Sequence, residues 1–254
     1  MRVLVDRLGF LIAVKYAVLW YNINNMKQLD NKFWNKYFQV YDVLNMVIPY
    51  QELLDDLIKE LDVKKGDLIL DAGSGTGNLS IKLEKLGAKV IALDNNSEAI
   101  KRHKQKNPNA EIVFHDLNKP LPFKDDYFDK IVCNNTLYLF DYVVVEKILT
   151  EFYRILKKNG ICVLSNPKKR SNPFKIFFEH TKKGFKFNKF LASFSNICKL
   201  LKYNYIILKY NKNKKNLGFI TTNKQEHLMR NVNFNKIFSK ISYSNNAIIS
   251  KGVK

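Results

Sequence analysis

The sequence predicts an α/β protein, a mostly parallel sheet with helices on both faces. Three observations carry that expectation. Across residues 50–167, apolar runs of strand length alternate with amphipathic runs of helical period. The strand-like runs end on polar residues, as strands do when they deliver side chains to one edge of an open sheet. A glycine-rich stretch, "DAGSGTG", joins the first such strand to the helix after it.

Residues 30–62 read as helical. "PYQELLDDLIKEL" sets Pro49 at a helix start and Leu53, Leu54, Leu57, Ile58 and Leu61 on one face. A turn at Gly66-Asp67 precedes a buried strand from Leu68 to Asp71. The next helix, Asn78 to Leu86, closes at Gly87. "AKVIALD" is a second strand, ending at Asp94, and Asn96 or Ser97 caps a helix that stops at Asn107-Pro108. "EIVFHD" reads as a third strand ending at Asp116, and "FDKIVCNN" as a fourth ending near Asn134. Asp141 caps a helix stopped at Gly160, and "ICVLSNP" is the fifth strand. After Pro167 the alternation is lost until "NFNKIFSKISYSNNAIISKGVK", which reads as two strands joined at Ser244-Asn245. The expected division is therefore an N-terminal helical segment and lid (1–49), a core (50–167), a basic aromatic insert (168–233) and a β-hairpin (234–254).

Composition narrows the function classes. With 254 residues and 46% apolar content the chain can bury a sizeable core, which excludes a disordered tail. Cys133, Cys162 and Cys198 are too few and too far apart for a disulfide framework or a CxxC metal site, which points to a reducing, cytoplasmic compartment. The four histidines show no metal-ligand spacing, so no metal is expected. The formal net charge is +20, and it is unevenly placed. Residues 1–165 carry 23 Lys+Arg against 21 Asp+Glu, whereas residues 166–254 carry 20 against Glu179 and Glu226 alone. Codon drift toward Lys would not remove Glu, so the cationic half points to an anionic partner.

The first 25 residues are apolar but interrupted by Arg2, Asp6, Arg7 and Lys15. The longest clean run, Leu8 to Val14, is too short for the ~20 residues of a spanning helix. A helix packed on the body, a shallow membrane-contacting helix and a targeting segment remain open.

The glycine loop lets the backbone turn sharply and approach a ligand at a helix N-terminus. Its spacing departs from the dinucleotide GxGxxG, because Asn78 stands where the third glycine would be and Gly77 comes one position early. Asp71, Asp94 and Asp116 fall at the ends of three consecutive strands. Asp94 is placed to accept from two ribose hydroxyls, and Asp116 from an exocyclic amine on adenine.

Four motifs in order, "LILDAGSGTGNLS", "VIALDNN", "LPFKDDYFDKIVCNN" and "EFYRILKKNGICVLSNP", resemble those of the class I S-adenosylmethionine-dependent methyltransferases, in particular the methyltransferase 11-like, small-molecule and lipid type. The resemblance covers about residues 50–167. It implies a Rossmann-like seven-stranded sheet whose last strand is antiparallel, with the C-terminal hairpin as strands six and seven. It implies S-adenosylmethionine as cofactor, held by Asp71 with the backbone around Gly73, Gly75 and Gly77, by Asp94 at the ribose, and by Asp116 with the Leu117 amide at the adenine, with Asn95 also in the cofactor site. Asn134 would sit beside the sulfonium, and Tyr41, with Tyr37 and Asp42, would belong either to a lid over the cofactor or to a helix packing its aromatics into the core. Asn159 and Ile161 replace the usual proline and second glycine of the fourth motif.

Methyl transfer from a sulfonium needs positioning above all, so no catalytic base is assigned; His115, Tyr138 and His180 are the candidates. Tyr205 and Lys209 form a YxxxK pair inside the β-rich run "YNYIILKY" and are read as coincidence. The insert interleaves lysines with Phe174, Phe177, Phe178, Phe185, Phe187, Phe190, Phe194, Tyr203, Tyr205 and Tyr210. That pattern suits a small-molecule or lipid-like acceptor with peripheral contact to an anionic membrane surface. RNA or DNA is a second partner class, lowered by the absence of a [DNS]PP[YFW] signature after strand four, and a plain lid is a third reading. A non-catalytic S-adenosylmethionine-binding protein is the alternative outside enzymes.

Overall fold

The computed structural model describes residues 29–168, 173–184, 187–213 and 221–254. The expectations for residues 1–28 lie outside the described residues, as do those for the side chains of Phe174, Phe177, Phe178, Phe185, Phe187, Phe190 and Phe194. In chain order the described elements are α1 (Asn31–Tyr41), a 3-10 turn (Asp42–Met46), α2 (Ile48–Leu61), β1 (Leu68–Ala72), α3 (Asn78–Lys85), β2 (Lys89–Asp94), α4 (Ser97–Lys106), β3 (Glu111–Phe114), β4 (Phe128–Asn134), a 3-10 turn (Leu137–Leu139), α5 (Tyr142–Ile155), β5 (Leu156–Pro167), α6 (Pro173–Gly184), α7 (Phe187–Asn213), α8 (Thr222–Asn231), β6 (Asn235–Ser242) and β7 (Ala247–Val253).

The seven strands form one sheet in the order β3-β2-β1-β4-β5-β7-β6. The first five pair in parallel, and β7 runs antiparallel to both β5 and β6. The central strands are buried on both sides because successive strand residues feed different cores. Ile69, Val132 and Val163 pack on the face covered by α1, α2, α3 and α7, while Leu70, Cys133 and Leu164 pack on the face covered by α5 and α8. After β1 the chain moves outward to β2 and β3, then crosses back to place β4 on the other side of β1. The carboxyl ends of β1 and β4 therefore border a crevice at the point where the strand order reverses, the usual ligand position of an open α/β sheet.

Local signals set most helix starts. Asp30 accepts from the Phe33 amide at 2.8 Å, Asn96 from Ala99 at 3.0 Å and Asp141 from Val144 at 2.9 Å, each satisfying an otherwise orphaned donor of a first turn. The hairpin turns through Tyr243, Ser244 and Asn245, all with positive φ.

Three expectations are corrected. The third strand ends at Phe114, and Asp116 lies in the turn beyond it, where its Oδ1 accepts from the Asn118 amide at 2.9 Å. Helix α5 ends at Ile155 rather than Gly160, because Leu156 already pairs with Phe128 on β4 and the Asn159–Gly160 backbone bonds with Lys254. "YNYIILKY" is helical, inside α7. Leu200, Ile206 and Ile207 are buried in the core that also holds α1, with Tyr203 packed against it, so helical packing overrides the β-preference of the run. No helix among the described residues is long and apolar enough to cross a membrane.

Candidate functional site

The site grows from the end of β1. Gly73, Gly75 and Gly77 have φ of +74°, +55° and +76°. Two of them are also closely approached. A Cβ on Gly73 would meet the Thr136 side chain at 2.4 Å, and one on Gly77 would meet the His103 ring at 2.1 Å. The first contact lets the loop lie against the end of β4, and the second seats it on α4. The Gly73 and Ser74 amides both donate to Leu93 O, at 2.8 and 3.0 Å, which binds the loop to the end of β2.

The acids separate by environment. Asp94 is 9% exposed, and its two oxygens accept from Gly75 N at 2.8 Å and Asn96 N at 2.9 Å. Burial raises its pKa, and those amides oppose the rise. Asp71 is buried behind the loop, where Ser80 Oγ donates to it at 2.5 Å. Burial, with the negative charge of Asp94 nearby, pushes its carboxyl up to about 7.

A cavity of about 990 Å³ opens in front of this edge. Asp71, Gly73, Gly75, Asp94, Asn95, Leu117, Asn134 and Tyr41 line it, and so do His115, Tyr138 and His180. Gly77 and Asp116 are outside its described lining: Gly77 serves as the cap of α3, and Asp116 caps its own turn. Asn134 faces the cavity with its Oδ1 already accepting from Ser165 Oγ at 2.5 Å.

The opposite wall comes from α1, the start of α2, the 3-10 turn after β4, α7 and the hairpin turn. Tyr37, Tyr41, Tyr50, Tyr138 and Tyr243 line it with Leu139, Leu200 and Ile207. Burial raises the pKa of all five phenols, so each is held protonated. Although the chain carries 43 Lys+Arg, no described Lys or Arg lines the cavity.

Sequence reasoning missed Ser74 and Asn135. Both line the cavity, and Ser74 Oγ and Asn135 Oδ1 are buried there with no hydrogen-bond partner among the described residues. An orphaned buried polar atom is costly unless a ligand or water meets it. Asn135 also takes a positive φ of 51°, a conformation that asparagine tolerates better than most residues. Its place directly after β4 was the available signal. Ser74, between two loop glycines, offered only its position.

A model of a methyltransferase domain matches residues 63–233. Demethylmenaquinone methyltransferase of Oceanobacillus iheyensis is 31% identical over 150 residues, covering 54% of this chain and 61% of that protein. Demethylmenaquinone methyltransferase of Lactobacillus johnsonii is 28% identical over 243 residues, covering 87% of this chain and 94% of that protein. Matches over less than half of this chain include ribosomal RNA and ribosomal protein methyltransferases. Among solved structures, a SAM-dependent methyltransferase from Aquifex aeolicus superimposes with a TM-score of 0.56 at 16% identity, covering 89% of this chain and 99% of that one. The family match spans more than half of the chain and coincides with this fold and loop: the chain belongs to the methyltransferase-domain family, among the class I S-adenosylmethionine-dependent methyltransferases.

Proposed function

We propose that the protein transfers a methyl group from S-adenosylmethionine to an uncharged, largely apolar small-molecule or lipid-like acceptor. The carrying observation is the single cavity that joins the Asp94–glycine-loop edge to a wall of phenols and aliphatic side chains with no described Lys or Arg. A phosphate-bearing acceptor bound inside it would find no Lys or Arg among the described residues to meet its charge.

The residues present fit the cofactor. Buried carboxylates stand at the ends of β1 and β2, and the orphaned Ser74 Oγ and Asn135 Oδ1 offer it polar partners. When bound, S-adenosylmethionine supplies an electrophilic methyl group. Asp71 and the backbone at Gly73 and Gly75 would hold its amino-acid end, Asp94 and Asn95 its ribose, and Leu117 its adenine. Asn134 would stand beside the sulfonium.

The protein's own part is to align the acceptor and exclude water. The protonated phenols of Tyr138 and Tyr243 can donate to an acceptor oxygen, and as protonated groups they are not bases. His115 lines the cavity with its Nε2 held to Pro120 O at 3.0 Å. The demethylmenaquinone methyltransferase relatives support an apolar acceptor. Exposed lysines on α6 and α7, such as Lys182 and Lys199, support peripheral contact with an anionic bilayer.

Titration with S-adenosylmethionine followed by a labelled-methyl screen of lipid, metabolite and RNA fractions tests the proposal. Label entering an organic-soluble product supports it. Label entering RNA overturns the acceptor class, and tight binding without transfer to any fraction points to a non-catalytic binder.

A further inference from the structure

Behind the glycine loop lies a polar cluster that touches the cavity only through Asn78. Lys106, in the last turn of α4, reaches out of its helix and donates to Asp42 Oδ1 at 2.8 Å, to Thr76 Oγ1 at 3.1 Å and to Asn78 Oδ1 at 2.7 Å. Those three acceptors belong to three different segments. Asp42 begins the 3-10 turn that follows α1, Thr76 is in the glycine loop, and Asn78 opens α3. Thr76 Oγ1 donates in turn to Asp42 Oδ1 at 2.5 Å, and Asn45 Nδ2 donates to Asn78 Oδ1 at 2.9 Å.

The donor and acceptor roles in this cluster allow one arrangement. A lysine ammonium has three donors and no acceptor, so whatever faces it must present lone pairs. It therefore fixes the Asn78 amide with Oδ1 toward Lys106 and Nδ2 away. That Nδ2 reaches Tyr50 Oη at 3.5 Å, and Tyr50 Oη lies 3.4 Å from Tyr41 Oη, both phenols standing in the cavity wall. The Thr76 hydroxyl, filled by Lys106 as acceptor, has its proton left for Asp42.

The segment so anchored covers the loop. Phe38 of α1 lies against Gly75, 3.3 Å from where a Cβ would stand. At its other end α1 is held by Asn96 Nδ2 donating to Asn35 Oδ1 at 3.0 Å, next to Asp94. Asp42 and Lys106 have side chains 32% and 27% exposed, dry enough for the charge-assisted bonds to be stronger than those of an open surface pair.

We propose that Lys106 is a positioning residue that latches the α1 segment onto the glycine loop and so sets how tightly the cofactor is held. The idea rests on the cofactor reading above and goes beyond it, since Lys106 lines no part of the cavity. Wild-type protein is titrated with S-adenosylmethionine first, and absence of binding there would sink the cofactor reading itself. Given wild-type binding, Lys106→Met is expected to weaken affinity about tenfold, the loss of one set of charge-assisted bonds. Turnover at saturating cofactor should change less than about threefold, and Lys106→Arg should restore most of the affinity, because it keeps the donors. Thr76→Val, close in shape, should reproduce the effect and leave little further loss for the double variant, since both act through one cluster. It also serves if Lys106→Met does not fold. Unchanged affinity, a lowered melting temperature without change in affinity, or full additivity of the two substitutions would each overturn the latch.

Discussion

The wall made by the ends of β1, β2 and β4 presents glycines, backbone amides and two buried carboxylates, whereas the wall made by α1, α7 and the hairpin turn presents phenols and aliphatic side chains. The first is positioned by the backbone bonds of the sheet and by a glycine loop whose positive φ and close approaches leave no room for a Cβ at Gly73 and Gly77. The second is positioned by side-chain packing between helices. Chemistry shared by a whole family suits the first kind of wall, and a variable acceptor suits the second. The comparison also relocates the charge. Part of the excess of +18 in residues 166–254 lies on α7, which helps to build the second wall, yet no described Lys or Arg lines the cavity. The described lysines of that segment and the cavity lining are separate.

The contrast can be broken at several points, beginning where the first wall has least freedom. Gly77→Ala combines a φ of +76° with a 2.1 Å approach to the His103 ring, so it should destabilise the fold by on the order of 3 kcal/mol. Chemical denaturation measures this, and His103→Ala in the same chain should relieve only the steric part. Next in size, Asp94→Ala should weaken S-adenosylmethionine binding about a hundredfold, because Gly75 N and Asn96 N lose a charged acceptor along with the ligand. Asp116→Ala, outside the described cavity lining, should stay within about threefold by the same titration.

A smaller effect is the pH dependence of binding. Burial raises the Asp71 carboxyl to about 7, so in the unliganded protein it is largely protonated at pH 6 and ionised at pH 8. A cofactor ammonium favours the ionised form, so affinity should rise about tenfold from pH 6 to 8, and Asp71→Asn should flatten the profile. The sign for stability is opposite. The folded chain keeps a proton that the unfolded chain releases near 3.8, so this group's contribution is lost as pH rises from about 4 to 7. Smallest of all, Lys199→Glu on the exposed side of α7 should alter cofactor affinity less than about twofold while reducing flotation with anionic liposomes by a measurable fraction.

Legibility followed the range of the forces involved. Asn96 and Asp141 could be read as helix caps because a cap is a contact across three residues. The strands of 68–94 and 128–134 could be read because two-sided burial leaves a continuous apolar run. Asp116 was misplaced because β3 ends two residues earlier than its apolar pattern suggests, and a strand-end acid and a turn-capping acid look alike in a sequence. The run "YNYIILKY" was misread because its β-branched and aromatic residues prefer strands until a partner helix offers them a face.

By itself the sequence determined the order of strands and helices up to Pro167, the C-terminal hairpin, the glycine loop, and the two carboxylates that end β1 and β2. Each of these is set by backbone sterics or by contacts over a few residues. Only the tertiary structure decided that Ser74 and Asn135 face the cavity with unmet bonding capacity. It alone kept the described lysines out of the cavity lining, and it alone brought Lys106 to the glycine loop and the turn after α1. Those outcomes depend on segments 28 to 64 residues apart meeting at bonding distance, as Lys106 meets Asn78 and Asp42, and no local pattern encodes such a meeting.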